Sequence, residues 1–295
     1  MIIVKLKGGL GNQLFQYAAA KNLAIINQTE LLIDSSSGFS NDPYKRSFAL
    51  LDFCIKSEVA SLDVMNAFLG KSNIIRYIRN KIPFLFSFTN LQYVHERFYH
   101  YDEKLANIVS KKDLYLEGYF QSEKYFFKST NEILSEFEFK QEASEINREY
   151  LLKIKNCESV SLHVRTYDDA KIISASQIYG SPSKDYYQKA VDFIKSKIKD
   201  PVFFIFSDNI DWAKNNIVIK NAKVEYISHN DIENGHEDLR LMKACNHNII
   251  ANSSFSWWGA WLNKNPSKIV IAPEKWVKVD YIDFKDVVPK NWIKF

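Results

Sequence analysis

From residue 159 to residue 273 the chain alternates short apolar runs with amphipathic ones, and few folds accommodate that pattern. "SVSLHV" (159–164), "VFFIFS" (202–207), "VEYI" (224–227), "NIIAN" (248–252) and "KIVIAP" (268–273) are rich in β-branched and aromatic residues and read as strands. Helical segments fall between and after them at 184–198, 210–216, 236–246 and 256–263. Strands that take turns with helices predict βα units on a parallel sheet. The first half alternates less regularly. It reads as strand 2–6, helix 13–26, strand 31–34, a helical 58–69, a loosely patterned aromatic stretch at 84–101, strand 114–120 and helices through residue 153. The charged helix "SEINREYLLKIKN" makes the seam, so two α/β domains are expected, 1–155 and 156–295, facing each other across a cleft.

Composition removes several function classes. The net charge of +4 is mild and the lysines are spread out, which argues against a nucleic-acid stripe. "RYIRNK" (76–81) reads first as a solvated helix face and second as a contact for an anionic membrane surface. The three cysteines, Cys54, Cys157 and Cys245, have no metal-like spacing, and their sparse, odd number fits a reducing compartment. No apolar run is long enough to span a bilayer, and the first residues form a strand rather than a basic leader. A soluble, cytoplasmic protein is expected. The oligomeric state is not legible.

Three of the nine glycines lie within "GGLG" (8–11), between the first strand and an apolar helix. A P-loop would need Lys and Ser/Thr after its last glycine, whereas Asn12 and Gln13 follow Gly11. The dinucleotide fingerprint matches in part, with Leu14 where a third small residue belongs and Asp34 at a tolerable distance. The general reading is a backbone that approaches a ligand beside a helix start with free N–H groups. A plain tight turn explains the glycines equally well.

In open α/β sheets ligands gather at the carboxyl ends of the strands, and three such ends are polar here. Period-two alternation sets Val160, Leu162 and Val164 on one face and Ser161, His163 and Arg165 on the other. A guanidinium suits a phosphate because its planar fork bonds two oxygens and never loses its charge, although a salt bridge is the plainer use. His163 could bond a base or hold a proton, or serve only the sheet. Ser207, Asp208 and Asn209 precede a helix and suit capping, or a purine or ribose. Asn252, Ser253, Ser254 and Ser256 exceed what one cap needs, whereas Trp257, Trp258 and Trp261 are core at helical spacing. Asp238 shares an apolar face with Leu241, Met242 and Cys245 near a helix start, where it caps locally or faces the cleft. The chain contains no D-x-D, H-E-x-x-H or C-x-x-C, so arginine and helix dipoles would have to neutralise any diphosphate.

"GGLGNQLFQYA", "HVRTYDD", "FSDN" and "NHNIIANSSFSWWGAWL", with "LEGYFQSEKYF" in mid-chain, resemble glycosyltransferase family 11, the α-1,2-fucosyltransferases, in order and spacing. The likeness spans essentially the whole chain. It implies a GT-B-like pair of Rossmann-type domains, a GDP-fucose donor, a galactoside acceptor, inversion at the anomeric carbon and no required metal or other cofactor. It also implies work on bacterial surface polysaccharide. By resemblance His163 serves the guanine with help from Asp208, and Arg165 serves the β-phosphate. Ser254, Phe255 and Ser256 serve the phosphates, Asn252 and Ser253 beside them are counted as substrate-binding, and Gly9, Gly11 and Asn12 face the pyrophosphate or sugar from the other domain. Arg165 and Asp168 are taken as catalytic; Asp168 and Asp169 lie nearest in sequence for the acceptor proton, but either could serve only to orient Arg165, and the general base is left unassigned. The usual His-x-Arg-Arg-Gly-Asp-Tyr is here His163-Val164-Arg165-Thr166-Tyr167-Asp168-Asp169, which removes one cation and puts acceptor, linkage and sugar in question. The aromatic stretch 84–101 and the loop 170–183 are expected to shape the acceptor pocket. Two rivals stand beside this reading: a non-catalytic sugar-nucleotide or glycan binder, and a nicotinamide oxidoreductase.

Overall fold

The computed structural model describes residues 1–69, 90–166, 178–231 and 233–295. "RYIRNK", Asp168 and Asp169, and parts of the 84–101 and 170–183 stretches lie outside the described residues. The chain divides into two compact units, Met1–Lys140 with Lys285–Val287, and Gln141–Phe284 with Val288–Phe295. The division falls before the charged helix rather than after it. That helix, Glu145–Lys155, buries Ile154 against Leu241, Met242 and Cys245, which ties it to the second unit.

The first unit carries strands β1 (Ile2–Lys5), β2 (Leu31–Asp34), β3 (Glu58–Val59), β4 (Leu91–His95) and β5 (Asp113–Glu117), in sheet order β3-β2-β1-β5-β4. Every described pairing is parallel. Parallel strands need a crossover, and helix α1 (Leu10–Ile26) supplies the one between β1 and β2. Its Leu14, Phe15, Tyr17 and Ala18 are fully buried, as expected of a helix laid on a sheet. The helix begins earlier than its periodicity suggests, because Gly9 is the N-cap and Gly11 lies in the first turn. Helix α2 (Leu62–Leu69) follows β3.

The second unit carries β6 (Ser159–Val164), β7 (Val202–Ser207), β8 (Lys223–Ile227), β9 (His247–Ile249), β10 (Val270–Ala272) and β11 (Ile293–Lys294). Their order is β11-β10-β9-β6-β7-β8, again parallel throughout. The helices are α3 (Glu145–Lys155), α4 (Lys184–Lys197), α5 (Ile210–Asn216), α6 (Gly235–Ala244) and α7 (Ser254–Trp261). Both faces of the sheet are covered, which is why its central strands are apolar almost throughout. Val160, Leu162 and Val164 pack with Tyr187, Val191 and Ile194 of α4, whereas Phe204 and Phe206 pack with Leu241 and Met242 of α6. Trp257 and Trp258 are fully buried core, with ring centroids 5.0 Å apart, whereas Trp261, expected to be core, is part-exposed at the end of α7 and stacks on Trp257. Among the described residues no helix is long and apolar enough to cross a membrane.

Candidate functional site

The site in the second unit grows from the ends of β6, β7 and β9. Register pairs His163 with Phe206 and Val164 with Ser207, so the next residues, Arg165 and Asp208, leave neighbouring strands side by side. They meet as an ion pair, with Arg165 Nη1 3.1 Å from Asp208 Oδ2. The other oxygen, Oδ1, accepts the Thr166 N–H at 2.9 Å. Burial raises the Asp208 pKa, and the Arg165 charge and the Thr166 N–H pull it back. Asp208 thus orients Arg165, while capping of α5 falls to Asn209, whose Oδ1 accepts the Trp212 N–H at 3.0 Å. Among the described residues this pair sets one carboxylate beside one guanidinium.

His163 points to the opposite face from Val164 and reaches α7. Its Nδ1 lies 2.9 Å from Ser256 Oγ, and its ring lies 5.9 Å from that of Phe255. Burial, followed by the Arg165 charge, presses its pKa down to about 3. The imidazole is therefore neutral at physiological pH and can exchange directional hydrogen bonds with a base.

Helix α7 starts where the Ser253 side chain accepts the Phe255 N–H at 3.3 Å. Ser253, Ser254 and Phe255 are part-exposed, whereas Asn252 and Ser256 are buried. Ser256 holds His163. The Asn252 amide donates to Tyr179 O at 3.2 Å, Gly180 O at 2.9 Å and Trp276 O at 3.0 Å. Both therefore hold the protein itself, and the groups turned toward the start of α7 are Ser253, Ser254 and Phe255. Asp238 on α6 accepts Asn230 Nδ2 at 2.7 Å, and burial lifts its carboxyl to about 6.

The glycine turn in the first unit is built from buried amides that its motif did not reveal. Gln13 Nε2 donates to Gly8 O at 2.9 Å and Ser47 O at 2.8 Å, and its Oε1 accepts the Ala49 N–H at 2.8 Å. Gln16 Oε1 accepts the Lys7 N–H at 2.9 Å, and its Nε2 donates to Lys7 O at 3.2 Å. Both glutamines are fully buried. They hold the backbone of the turn in place in advance, which is what a ligand-cradling loop requires. Gly8 alone of the three has positive φ, at +79°. Gly9 is extended, and an added Cβ there would meet nothing nearer than the Arg46 side chain at 3.9 Å. Asn12 Oδ1 accepts Gln121 Nε2 at 2.7 Å. Arg46 is gripped by Asp42, with Nε 3.0 and 2.9 Å from the two carboxylate oxygens.

The structure thus gathers His163, Arg165, Asp208, Ser253, Ser254, Phe255 and Ser256 in one unit and Gly9, Gly11 and Asn12 in the other, while Asp168 lies outside the described residues. Among the described residues no cluster of three or more His, Cys, Asp or Glu is placed to hold a metal ion.

Comparison with known proteins extends these observations. The model of glycosyl transferase family 11 matches residues 1–295. An alpha-1,2-colitosyltransferase of Escherichia coli is 32% identical over 301 residues, covering 100% of this chain and 98% of that protein. The O-antigen biosynthesis glycosyltransferase WbnK of Escherichia coli is 32% identical, covering 92% of this chain and 93% of its own. A mouse galactoside 2-alpha-L-fucosyltransferase, Sec1, is 24% identical over 89% of this chain and 64% of its own length. The structure of a point mutant of Arabidopsis thaliana FUT1 in complex with GDP aligns with a TM-score of 0.52 at 13% identity, over 95% of this chain and 72% of that one. That likeness concerns the fold, which is α/β and GT-B-like with two parallel sheets.

Proposed function

The chain belongs to glycosyltransferase family 11, and on that premise we propose that it transfers L-fucose from GDP-fucose to the 2-hydroxyl of a β-galactoside, with inversion at the anomeric carbon. The acceptor is assigned to bacterial surface glycan, in keeping with the O-antigen relative. The observation that carries the reading is the corner where His163, Arg165 and the start of α7 converge.

On this reading a neutral His163, fixed by Ser256, bonds the guanine. Arg165, aimed by Asp208, lies at the β-phosphate, and the N–H and hydroxyl of Ser254 take the remaining phosphate oxygens. The acceptor hydroxyl attacks the anomeric carbon as the bond to the β-phosphate oxygen breaks. Negative charge then grows on the leaving GDP, and donors fixed beforehand stabilise it where it develops. Gly9, Gly11 and Asn12 contribute to recognition of the donor sugar or its pyrophosphate. Asp168 is assigned to the acceptor proton or to orienting Arg165.

A second donor has specific support. The colitosyltransferase is 32% identical over the full chain, against 24% for the fucosyltransferase Sec1. Colitose is fucose without its 3-hydroxyl. A site that bonds that hydroxyl rejects the deoxy sugar strongly, whereas one that packs against carbon accepts both within about 10- to 200-fold. Incubation with GDP-fucose and GDP-colitose, each against a panel of β-galactosides, tests the proposal, with the new linkage located by NMR. A product linked at the 2-hydroxyl supports it, and hydride transfer from NAD(P)H or binding with no GDP release rejects it. Turnover is expected to persist in a chelator, since no step assigns work to a divalent ion.

A further inference from the structure

The Arg165–Asp208 pair carries almost no net charge, and its neighbour Thr166 is neutral and buried. Among the described residues, a diphosphate leaving such a corner would meet that paired guanidinium and the partial charge of a helix start, about half a unit. A further cation would favour it, and the second unit carries a lysine on a segment tied to the residue before the α7 N-cap.

Lys278 is exposed, and the backbone around it is held in place. Its backbone N–H donates to Ile178 O at 2.8 Å. Two residues before it, Trp276 O accepts the Asn252 amide, and the same amide grips Tyr179 O and Gly180 O. Asn252 directly precedes Ser253, the N-cap of α7, so this clip fastens both segments to the start of that helix. Gly180 has φ of +63° and offers a bare Cα over which the lysine stem runs. An added Cβ at Gly180 would lie 1.8 Å from Lys278 Cε, 2.5 Å from Cδ and 2.7 Å from Nζ. The glycine is thus a notch shaped to the lysine. Among the described residues the Lys278 ammonium has no ion-pair partner.

We propose that Lys278, whose stem lies over Gly180 on a segment that Asn252 ties to the start of α7, supplies a second positive charge for the donor's diphosphate. The inference rests on the nucleotide-sugar reading of the same corner. Lysine is suited to the task as a mobile point charge that follows the phosphates as they leave, whereas Arg165 holds a fixed geometry. Asn252 acts as a positioning residue.

Calorimetric titration with GDP and with guanosine tests the assignment. Lys278→Met is expected to weaken GDP binding about tenfold while guanosine binds as before, and to flatten the salt dependence of GDP affinity. Lys278→Arg restores most of the loss. Gly180→Ala, with its melting temperature recorded to confirm folding, reproduces the GDP-selective loss because the methyl group expels the lysine stem. A Lys278→Met protein that binds GDP like the parent, or that loses GDP and guanosine equally, overturns the inference and leaves the donor reading standing. A parent protein that binds no GDP removes the donor reading itself and this inference with it.

Discussion

Arg165 and Asp208 are 43 residues apart in the chain, yet their side chains lie 3.1 Å from each other because β6 and β7 run parallel and end together. The pairing fixes which way the guanidinium fork faces. Replacing Arg165 by Ala is expected to lower kcat about 10²–10³-fold, comparable with losing one oxyanion donor. Arg165→Lys keeps the charge but loses the fork, and intermediate activity is expected. Single-turnover release of GDP is the measurement, and near-normal release by Arg165→Ala would reject the role.

The glycine turn separates backbone strain from ligand approach. An added Cβ at Gly8 would sit 2.7 Å from Asn12 Nδ2 on a backbone with φ of +79°. Gly8→Ala is therefore expected to destabilise the fold by about 1–3 kcal/mol. At Gly9 the added methyl meets no atom closer than 3.9 Å, so Gly9→Ala is expected to melt close to the parent. On the proposed reading its turnover should nevertheless fall, because the methyl would occupy a face assigned to the donor. A Gly9→Ala enzyme with parental kcat/KM would show that the turn cradles nothing.

Acid stability exposes two buried groups of opposite sign. The folded His163 stays neutral down to about 3, whereas the unfolded imidazole takes up a proton near 6.5. Within that window the unfolded chain binds more protons, so stability falls as pH drops, by up to about 1.4 kcal/mol per unit. Asp238 works the other way. It takes up a proton near 6 when folded and near 3.8 when unfolded, which adds stability as pH falls between those values. His163→Gln is expected to flatten the acid limb and Asp238→Asn to steepen it, as read from urea midpoints between about pH 7 and about pH 5. Parallel pH curves for all three proteins would refute both assignments.

Ser256 is expected to matter chiefly through His163, its nearer partner. Ser256→Ala leaves Nδ1 buried without its 2.9 Å partner, at a cost of about 1–3 kcal/mol in stability. The loosened ring should weaken guanosine and GDP binding equally, unlike a change at Lys278. A loss confined to GDP would place Ser256 at the phosphates instead.

Much of the second sheet is legible in the chain. The runs at 159–164 and 202–207 coincide with β6 and β7, because a strand buried on both faces has an unmistakable apolar signature. β4 is hidden in an aromatic stretch whose half-exposed strand alternates poorly, and β11 has only two residues and exists through its pairing with β10. His163 stands near the end of β6, and Arg165 and Asp208 just past the ends of β6 and β7, as the alternation of those runs implies. What could not be read is how each side chain divides its bonds. Asn252 and Ser253 are adjacent polar residues of similar size, yet one amide is buried among three carbonyls while the other residue caps a helix at the surface. That difference depends on Tyr179, Gly180 and Trp276, which are remote in the chain and have no pattern to announce them. The Gln13 and Gln16 staples are hidden likewise, since a glutamine near a helix start ordinarily faces water.

The return of Lys285–Val287 to the first unit governs how the molecule can be made. Asp286 accepts the Tyr101 N–H at 3.0 Å and pairs with Lys124, so the first unit relies on a residue that follows the whole run from β6 to β10. A ribosome delivers Asp286 only after those strands have been translated. The earliest part of the protein is thus among the last to be finished, and no single cut in the chain yields either half intact.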